Sequence, residues 1–405
     1  MRNRWLTAFR CKSMGVTGAL VLLSAVLYAQ NVIKVKPVSG NARPAIAEAL
    51  RQAQQQKGSR VQLDAGTYTI DSTLYVPSGV QLAGAGIDKT IISLATPLRG
   101  ALVASHNTSD VTVTGLTLDF AKGINEGCLV FANVQNGRVE SVKTINGFNY
   151  SIWIGRFNSD KGVSNNCEVS NCIASGQRNW TGDSKAQIIA GDGSTNTIIR
   201  NCVSEHFNAN GDLFGADDAP GTSFIRCTAD GTGGGNCGIW LEGNGKNKLV
   251  DVKIDSCTVK DLFEGIGVSE SSEANITNTT FTNCRSRGLW FRSYHPSVAD
   301  KCKFDHCGSA SQSYYTAVHF ESSNNVVSNS KFNDNANGDF SIFTGGRYKI
   351  VGTKIRNNAI TKGIRFVFEN GIDSTEISGN KFIGCLPPNL SNVKRVRMYK
   401  NVQMN

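Results

Sequence analysis

After its first 29 residues, the 405-residue chain has no apolar run long enough to span a membrane. It has no arginine-rich tract and no nucleic-acid-binding motif, which sets aside a DNA or RNA partner. Proline is scarce, with 8 residues against 42 glycines, so many tight turns and few broken helices are expected. No linker separates a second domain. At the start, Arg2, Arg4, Arg10 and Lys12 precede the run MGVTGALVLLSAVLYA, which ends at Ala29. A basic segment, a short apolar core and a small final residue predict a secretory signal peptide over residues 1–29, and with it a secreted or periplasmic protein. No cysteine follows that could carry a lipid. Cleavage would lower the formal charge from +10 to +6. This excess favours an acidic polysaccharide partner and says nothing for a membrane or nucleic acid. A monomer is expected.

Eleven cysteines would remain, an odd number for a disulfide scaffold. Their spacing points elsewhere. Cys172, Cys202, Cys227, Cys257, Cys284 and Cys307 occur in similar short pieces (SNCIA, RNCVS, IRCTA, DSCTV, TNCRS, DHCGS) at steps of 30, 25, 30, 27 and 23 residues. The frame runs on through Ser330, Thr353 and Asn380, and back to Val142 and Leu116. Eleven units of about 26 residues are the mark of a solenoid. Within each unit, short strands such as GIWLEG, GIGVSE, GLWFRS and AVHFES alternate apolar with polar residues, and no helical stripe intervenes. The predicted fold is therefore all-β, a right-handed parallel β-helix. The six cysteines are predicted to stack as small apolar side chains in one internal column. Asn171, Asn201 and Asn283 beside them suggest an asparagine ladder.

Residues 30–57 are read as an N-terminal segment with a capping helix, because Ala45, Ile46, Ala49, Leu50 and Ala53 fall on one helical face. Residues 58–386 make the β-helix. Pro387 and Pro388 break the pattern, and 387–405 is read as a closing segment.

AGTYTI followed by SGVQLAGAGIDKTII resembles the opening of the pectate-lyase-like β-helix superfamily, and is similar above all to secreted mannuronan C5-epimerase modules. The stretch from Asn210 to Trp240 resembles one coil pair of family 9 pectate lyases. That resemblance implies calcium held by acids on two adjacent strands. Asp212 fits the first position, but Asn236, Cys237 and Gly238 supply no carboxylate on the second, and Gly267 stands where the family's lysine base is expected. The epimerase Asp-Pro-His is also missing, since Tyr150 leads into Ser151-Ile152-Trp153. Neither catalytic set carries over, so no metal or other cofactor is expected.

A working site is expected on the GIWLEG-type strands. With Ile152, Leu213, Ile239, Ile266 and Leu289 inward, Trp153, Phe214, Trp240 and Trp290 project outward as a platform for sugar rings. Beside it fall Asp212, Glu242, Arg292, Tyr294, His319 and Glu321. Arginine can neutralise a uronate carboxylate while Tyr294 or His319 moves the C5 proton, which gives β-elimination without metal. The alternatives are a glycoside hydrolase using a carboxylate pair among Asp212, Asp217, Asp218 and Glu242, a uronan epimerase, and a non-catalytic glycan-binding solenoid.

Overall fold

The computed structural model describes residues 31–56, 58–157, 159–178, 186–207, 211–244, 248–343, 350–367, 372–388, 390 and 395–404. The leader expected at 1–29 lies outside the described residues. The chain winds as a solenoid in which each described strand pairs in parallel with its counterpart one coil away. One sheet takes a single strand from each of twelve coils. In chain order these are β1 (Leu74–Tyr75), β2 (Val103–Ser109), β3 (Gly127–Gln135), β4 (Tyr150–Gly155), β5 (Ile188–Ala190) and β6 (Asp212–Asp217). They continue as β7 (Cys237–Gly243), β8 (Glu264–Glu270), β9 (Arg287–Phe291), β10 (Val318–Phe320), β11 (Phe340–Phe343) and β12 (Ile364–Val367). Most of the remaining strands build a second, longer sheet around the same core, while Ile350–Val351 and Ile372–Asp373 pair apart from it.

The period-two pattern explains the interior. Ile152, Ile188, Phe214, Ile239, Ile266, Leu289, Val318, Phe340 and Ile364 stand in one register and are all buried. Across from them, Phe281, Phe304 and Phe332 stack at 4.6 and 4.8 Å between ring centroids, which is the strand spacing itself. Each coil thus buries an apolar set only because its neighbours cover it.

The cysteine prediction needs a correction. Cys172, Cys202, Cys227 and Cys257 do share an internal column, but its next members are Thr279 and Cys302. Cys284 and Cys307 stack in a second column at the next turn. The first column then changes chemistry to Ser330, Asn358, Asn380 and Asn401. Each of these accepts a hydrogen bond from the backbone N–H of the residue above it, at 2.9 to 3.1 Å. Ten of the eleven described thiols are buried, and all eleven are free. Burial pushes the thiols of Cys167 and Cys302 up to about 11 and about 12, so they act as packing groups rather than nucleophiles. Outside this column, Asn171 and Asn201 sit at φ 54° and 52°, where asparagine tolerates the left-handed turn, and Asn201 Nδ2 donates to Asn171 Oδ1 at 3.2 Å.

Helix α1 (Arg43–Gln54) buries Ile46, Ala49, Leu50 and Ala53 against the first strands, with Pro44 in its first turn, while Ala45 stays exposed. At the far end, strands Arg397–Tyr399 and Val402–Met404 add another rung beyond Pro387 and Pro388, within the stretch read as a closing segment. Among the described residues no helix is long and apolar enough to cross a membrane.

Candidate functional site

Strands β6 to β9 each open on a bend where two consecutive residues face the core. The first is Leu213, Gly238, Gly265 or Gly288. A Cβ on Gly238 would collide with Val259, on Gly265 with Phe281, and on Gly288 with Phe304, all core residues. The residue before the bend therefore faces out, which puts Asp212, Cys237, Glu264 and Arg287 in one row. After the bend, Gly215, Trp240, Gly267, Trp290 and His319 form a second outward row. Asp217, Glu242 and Ser269 form a third.

Phe214, expected on the sugar platform, is instead a core residue. It pairs in register with Ile188 and Ile239, is fully buried, and packs edge-on against Phe224 at 6.1 Å. Gly215 takes the outward place, and Asp217 rather than Ala216 reaches the third row. Trp153 does lie in the outward row, but it is only 7 % exposed, packed by Tyr150 at 5.8 Å and by Phe157 at 5.5 Å.

Trp240 and Trp290 are half-buried and open a bent aromatic surface, with ring centroids 5.9 Å apart at 56°. Trp240 reaches Trp290 across an intervening coil because Gly267 has no side chain there; a Cβ would strike the indole. Each indole is tied to an acid. Trp240 Nε1 donates to Glu242 Oε2 at 3.1 Å, and Trp290 Nε1 donates to Glu321 Oε2 at 2.9 Å. Arg292 lies 5.2 Å over the Trp290 ring. Five of the expected site residues, Trp240, Glu242, Trp290, Arg292 and Glu321, thus converge.

Asp212 joins them from the first row. It is 3 % exposed, and burial, then the like charges of Glu264 and Glu242, push its carboxyl up to about 8. It is protonated at neutral pH while exposed Glu242 stands beside the platform.

His319 and Tyr294 take other places. His319 lies in the second row beside Trp290, yet it is 1 % exposed, covered by Tyr314 at 5.6 Å and hydrogen-bonded through Nδ1 to Ser341 Oγ at 2.7 Å. Burial, with the nearby Arg287 charge, holds its pKa well below the ordinary histidine range, so the ring is neutral. Tyr294 stands 58 % exposed in the turn beyond β9.

Sequence reasoning missed Glu264, Arg287, Tyr314 and Tyr315. Arg287 pairs with Glu264 through Nη1, both nearly buried, and its guanidinium lies 4.1 Å from the Trp290 ring centre, with Tyr315 and Tyr314 at 5.1 and 5.5 Å. Burial opposes both charges and their mutual attraction opposes burial. The signal was available: Glu264 and Arg287 stand three residues before Gly267 and Trp290, the offset that separates Asp212 from Gly215.

Two family profiles match the chain in succession. One, described as rhamnogalacturonase A/epimerase, pectate lyase-like, matches residues 39–219, and the other, described as right handed beta helix region, matches residues 214–386. The chain is a right-handed parallel β-helix, with the pectate-lyase-like profile matching its first half. Its fold is similar to the A-module of Azotobacter vinelandii mannuronan C-5 epimerase AlgE6, with a TM-score of 0.53, 15% identity, and 90% of this chain and 96% of that chain covered. It is also similar to a polygalacturonase from Erwinia carotovora (0.56, 12% identity, 89% and 96% covered). A third similar structure is PfbA, a surface adhesin of Streptococcus pneumoniae (0.54, 14% identity, 92% and 90% covered). No curated protein matches the sequence. At these identities the likeness carries the fold and leaves the chemistry to this β-helix's own residues.

Calcium, which the pectate-lyase resemblance implies, does not fit the Asp212 strand. The in-register neighbour of Asp212 is Cys237, whose buried thiol is pushed well above its ordinary range. No carboxylate faces Asp212 on the adjacent strand, and calcium needs several ionised or carbonyl oxygens.

Proposed function

We propose that this β-helix hydrolyses a glycosidic bond in a polysaccharide bound along β6 to β10. Asp212 is the proton donor and Glu242 the ionised carboxylate, with the sugar resting on Trp240 and Trp290. One observation carries the reading: Asp212 and Glu242 lie on hydrogen-bonded strands on the same outer face, in the rows flanking Trp240, one buried and one exposed. Two carboxyls in such unequal surroundings divide the acid and base roles between them. The family profiles and the carbohydrate-active neighbours support an enzyme on a polysaccharide without deciding the reaction. The leader-like N-terminus supports export.

Hydrolysis is favoured over the β-elimination expected from sequence because the groups for elimination stand apart. Arg292 does reach the platform over Trp290, but the two groups expected to move the proton do not: His319 lies under Tyr314 with its Nδ1 held by Ser341 Oγ, and Tyr294 stands in the turn beyond the platform. A panel of polysaccharides tests this directly. Hydrolysis gives new reducing ends without new ultraviolet absorbance. Products that absorb as unsaturated uronates would establish elimination instead, and binding without either product would leave a glycan-binding solenoid.

A further inference from the structure

The outer face carries a second feature three strands upstream of Trp240. A cleft of about 280 Å³ opens over β4 to β6, floored by Trp153, Tyr150 and Ile189. Trp153 leans over Gly155 and Gly191, where a Cβ on either would press against the indole. Phe157 forms one wall and is held in place, since its N–H donates to Asp160 Oδ2 at 2.8 Å while Asp160 Oδ1 meets His106 Nε2 at 2.6 Å. The cleft is continuous with the acids of the site, because Asp217 lines it and stands in register with Glu242.

The charges around the cleft run against the charge of the whole chain. Among the described residues its lining carries the carboxyls of Glu126, Asp192 and Asp217 and one cation, Arg156. Asp160, behind Phe157, draws on Arg156 as well. Burial already lifts the Glu126 carboxyl above its usual range. A uronate or sulfate placed here would add another anion to a partly desolvated acidic rim, whereas sugar hydroxyls would donate to those same oxygens. The charge of this cleft is therefore opposite in sign to that of the whole chain.

We propose that the cleft beside Trp153 is a subsite for an uncharged sugar ring, so that the face selects a neutral polysaccharide over a uronan. This rests on reading the face as sugar-binding. In-register strands are 4.7–4.9 Å apart, so the cleft floor at Trp153 lies ~15 Å from Trp240, a span a short oligosaccharide bridges.

Calorimetry on the full chain, with neutral hexasaccharides of glucose, mannose or galactose and with hexagalacturonate and hexaguluronate at low salt, tests the proposal. The expected result is a neutral hexamer bound at least about tenfold more tightly than either uronate. In the doubly neutralised variant E126Q/D192N, whose substitutions keep size and suit the turn at Asp192, uronate binding should rise severalfold while neutral binding changes less. A uronate bound more tightly than every neutral hexamer, with Arg156→Ala weakening it, would overturn the subsite, as would unchanged discrimination in the double variant. The two readings fail separately. Neutral binding with no new reducing ends sinks hydrolysis and leaves the subsite. Hydrolysis of a uronan that depends on Asp212 sinks the subsite and leaves the acid pair.

Discussion

Trp153 and Trp290 occupy the same outward row of one sheet, five coils apart, and they meet opposite fates. Trp153 is packed by Tyr150 and Phe157 within a small apolar patch that includes Val130 and Ile189. Trp290 is half-buried, edged by Glu321 and Arg292, with Arg287 against its ring. The strand register decides which face a side chain takes; the loop beyond the strand decides how much of it a ligand can reach, an edge at the floor of a cleft for Trp153 and a larger part of the ring for Trp290. Sequence periodicity speaks to the first question only.

The largest expected effect separates the acid of the open end from its surroundings. Asp212→Asn should lower turnover roughly 10²- to 10⁴-fold, the usual contribution of a positioned proton donor. It should also stabilise the protein. An unfolded aspartate titrates near about 3.9, while folded Asp212 keeps its proton to about 8. Folding therefore takes up a proton between those values, and this group's contribution to stability is complete below about pH 4 and lost as pH rises through 8. Thermal melts should show the variant gaining over the native chain from pH 4 to 8, by on the order of a few kcal/mol, and matching it near pH 4. Native activity should fall as pH rises through about 8. Full turnover in the variant would remove Asp212 from the chemistry.

Next in size is the buried pair behind the platform. Arg287→Ala leaves Glu264 buried without its partner and should cost about 3–5 kcal/mol of stability, read from denaturant unfolding. A loss under about 1 kcal/mol, the usual worth of an exposed pair, would mean that water reaches these groups.

The two kinds of tryptophan should then divide by readout. Trp153→Ala should lower stability by about 3–5 kcal/mol, as expected for a buried large side chain. Trp240→Ala should change the melting temperature little and weaken oligosaccharide binding about tenfold, near 1.4 kcal/mol. Equal effects of both on melting would erase the distinction between the covered and open ends.

The interior offers a smaller test. Asn358→Ala leaves the Ser330 N–H without its acceptor and should cost about 1–3 kcal/mol, more than Cys227→Ala, where only a small packing group is lost.

These contrasts show what the sequence could reveal. The solenoid was legible because each coil needs small or apolar residues at fixed places. The cysteine frame slipped after Cys257 because each coil has two buried turn positions five residues apart, as in Cys302 and Cys307, and both accept the same small side chain. Spacing alone gives no sign of a change of turn. Phe214 was misassigned for a related reason. At the bend opening β7, β8 and β9 the first inward residue is glycine, so Ile239, Ile266 and Leu289 stand out as the column; in β6 that place is filled by Leu213, which mimics the column residue. Glu264 and Arg287 were missed because their three-residue offset from Gly267 and Trp290 marks a row only once the bend is placed. The cover over Trp153 and His319 comes from loops with no periodicity to read.

The smallest effect expected is none. Chelation should leave activity unchanged, and added calcium should neither restore nor raise it. The acidic pattern that holds calcium in similar coils is interrupted here at Cys237, and the row holds Asp212, which keeps its proton, and Glu264, which is spoken for by Arg287. A hard divalent ion would have to break that pair to gain two carboxylates, at most four oxygens and short of its usual six to eight ligands. Asp217 and Glu242 on the other side of Trp240 are the remaining acids of β6 and β7 facing the substrate. If activity vanishes on chelation and returns with calcium, the ion must sit with them, and Glu242→Gln should then abolish the calcium response while Asp212→Asn leaves it intact.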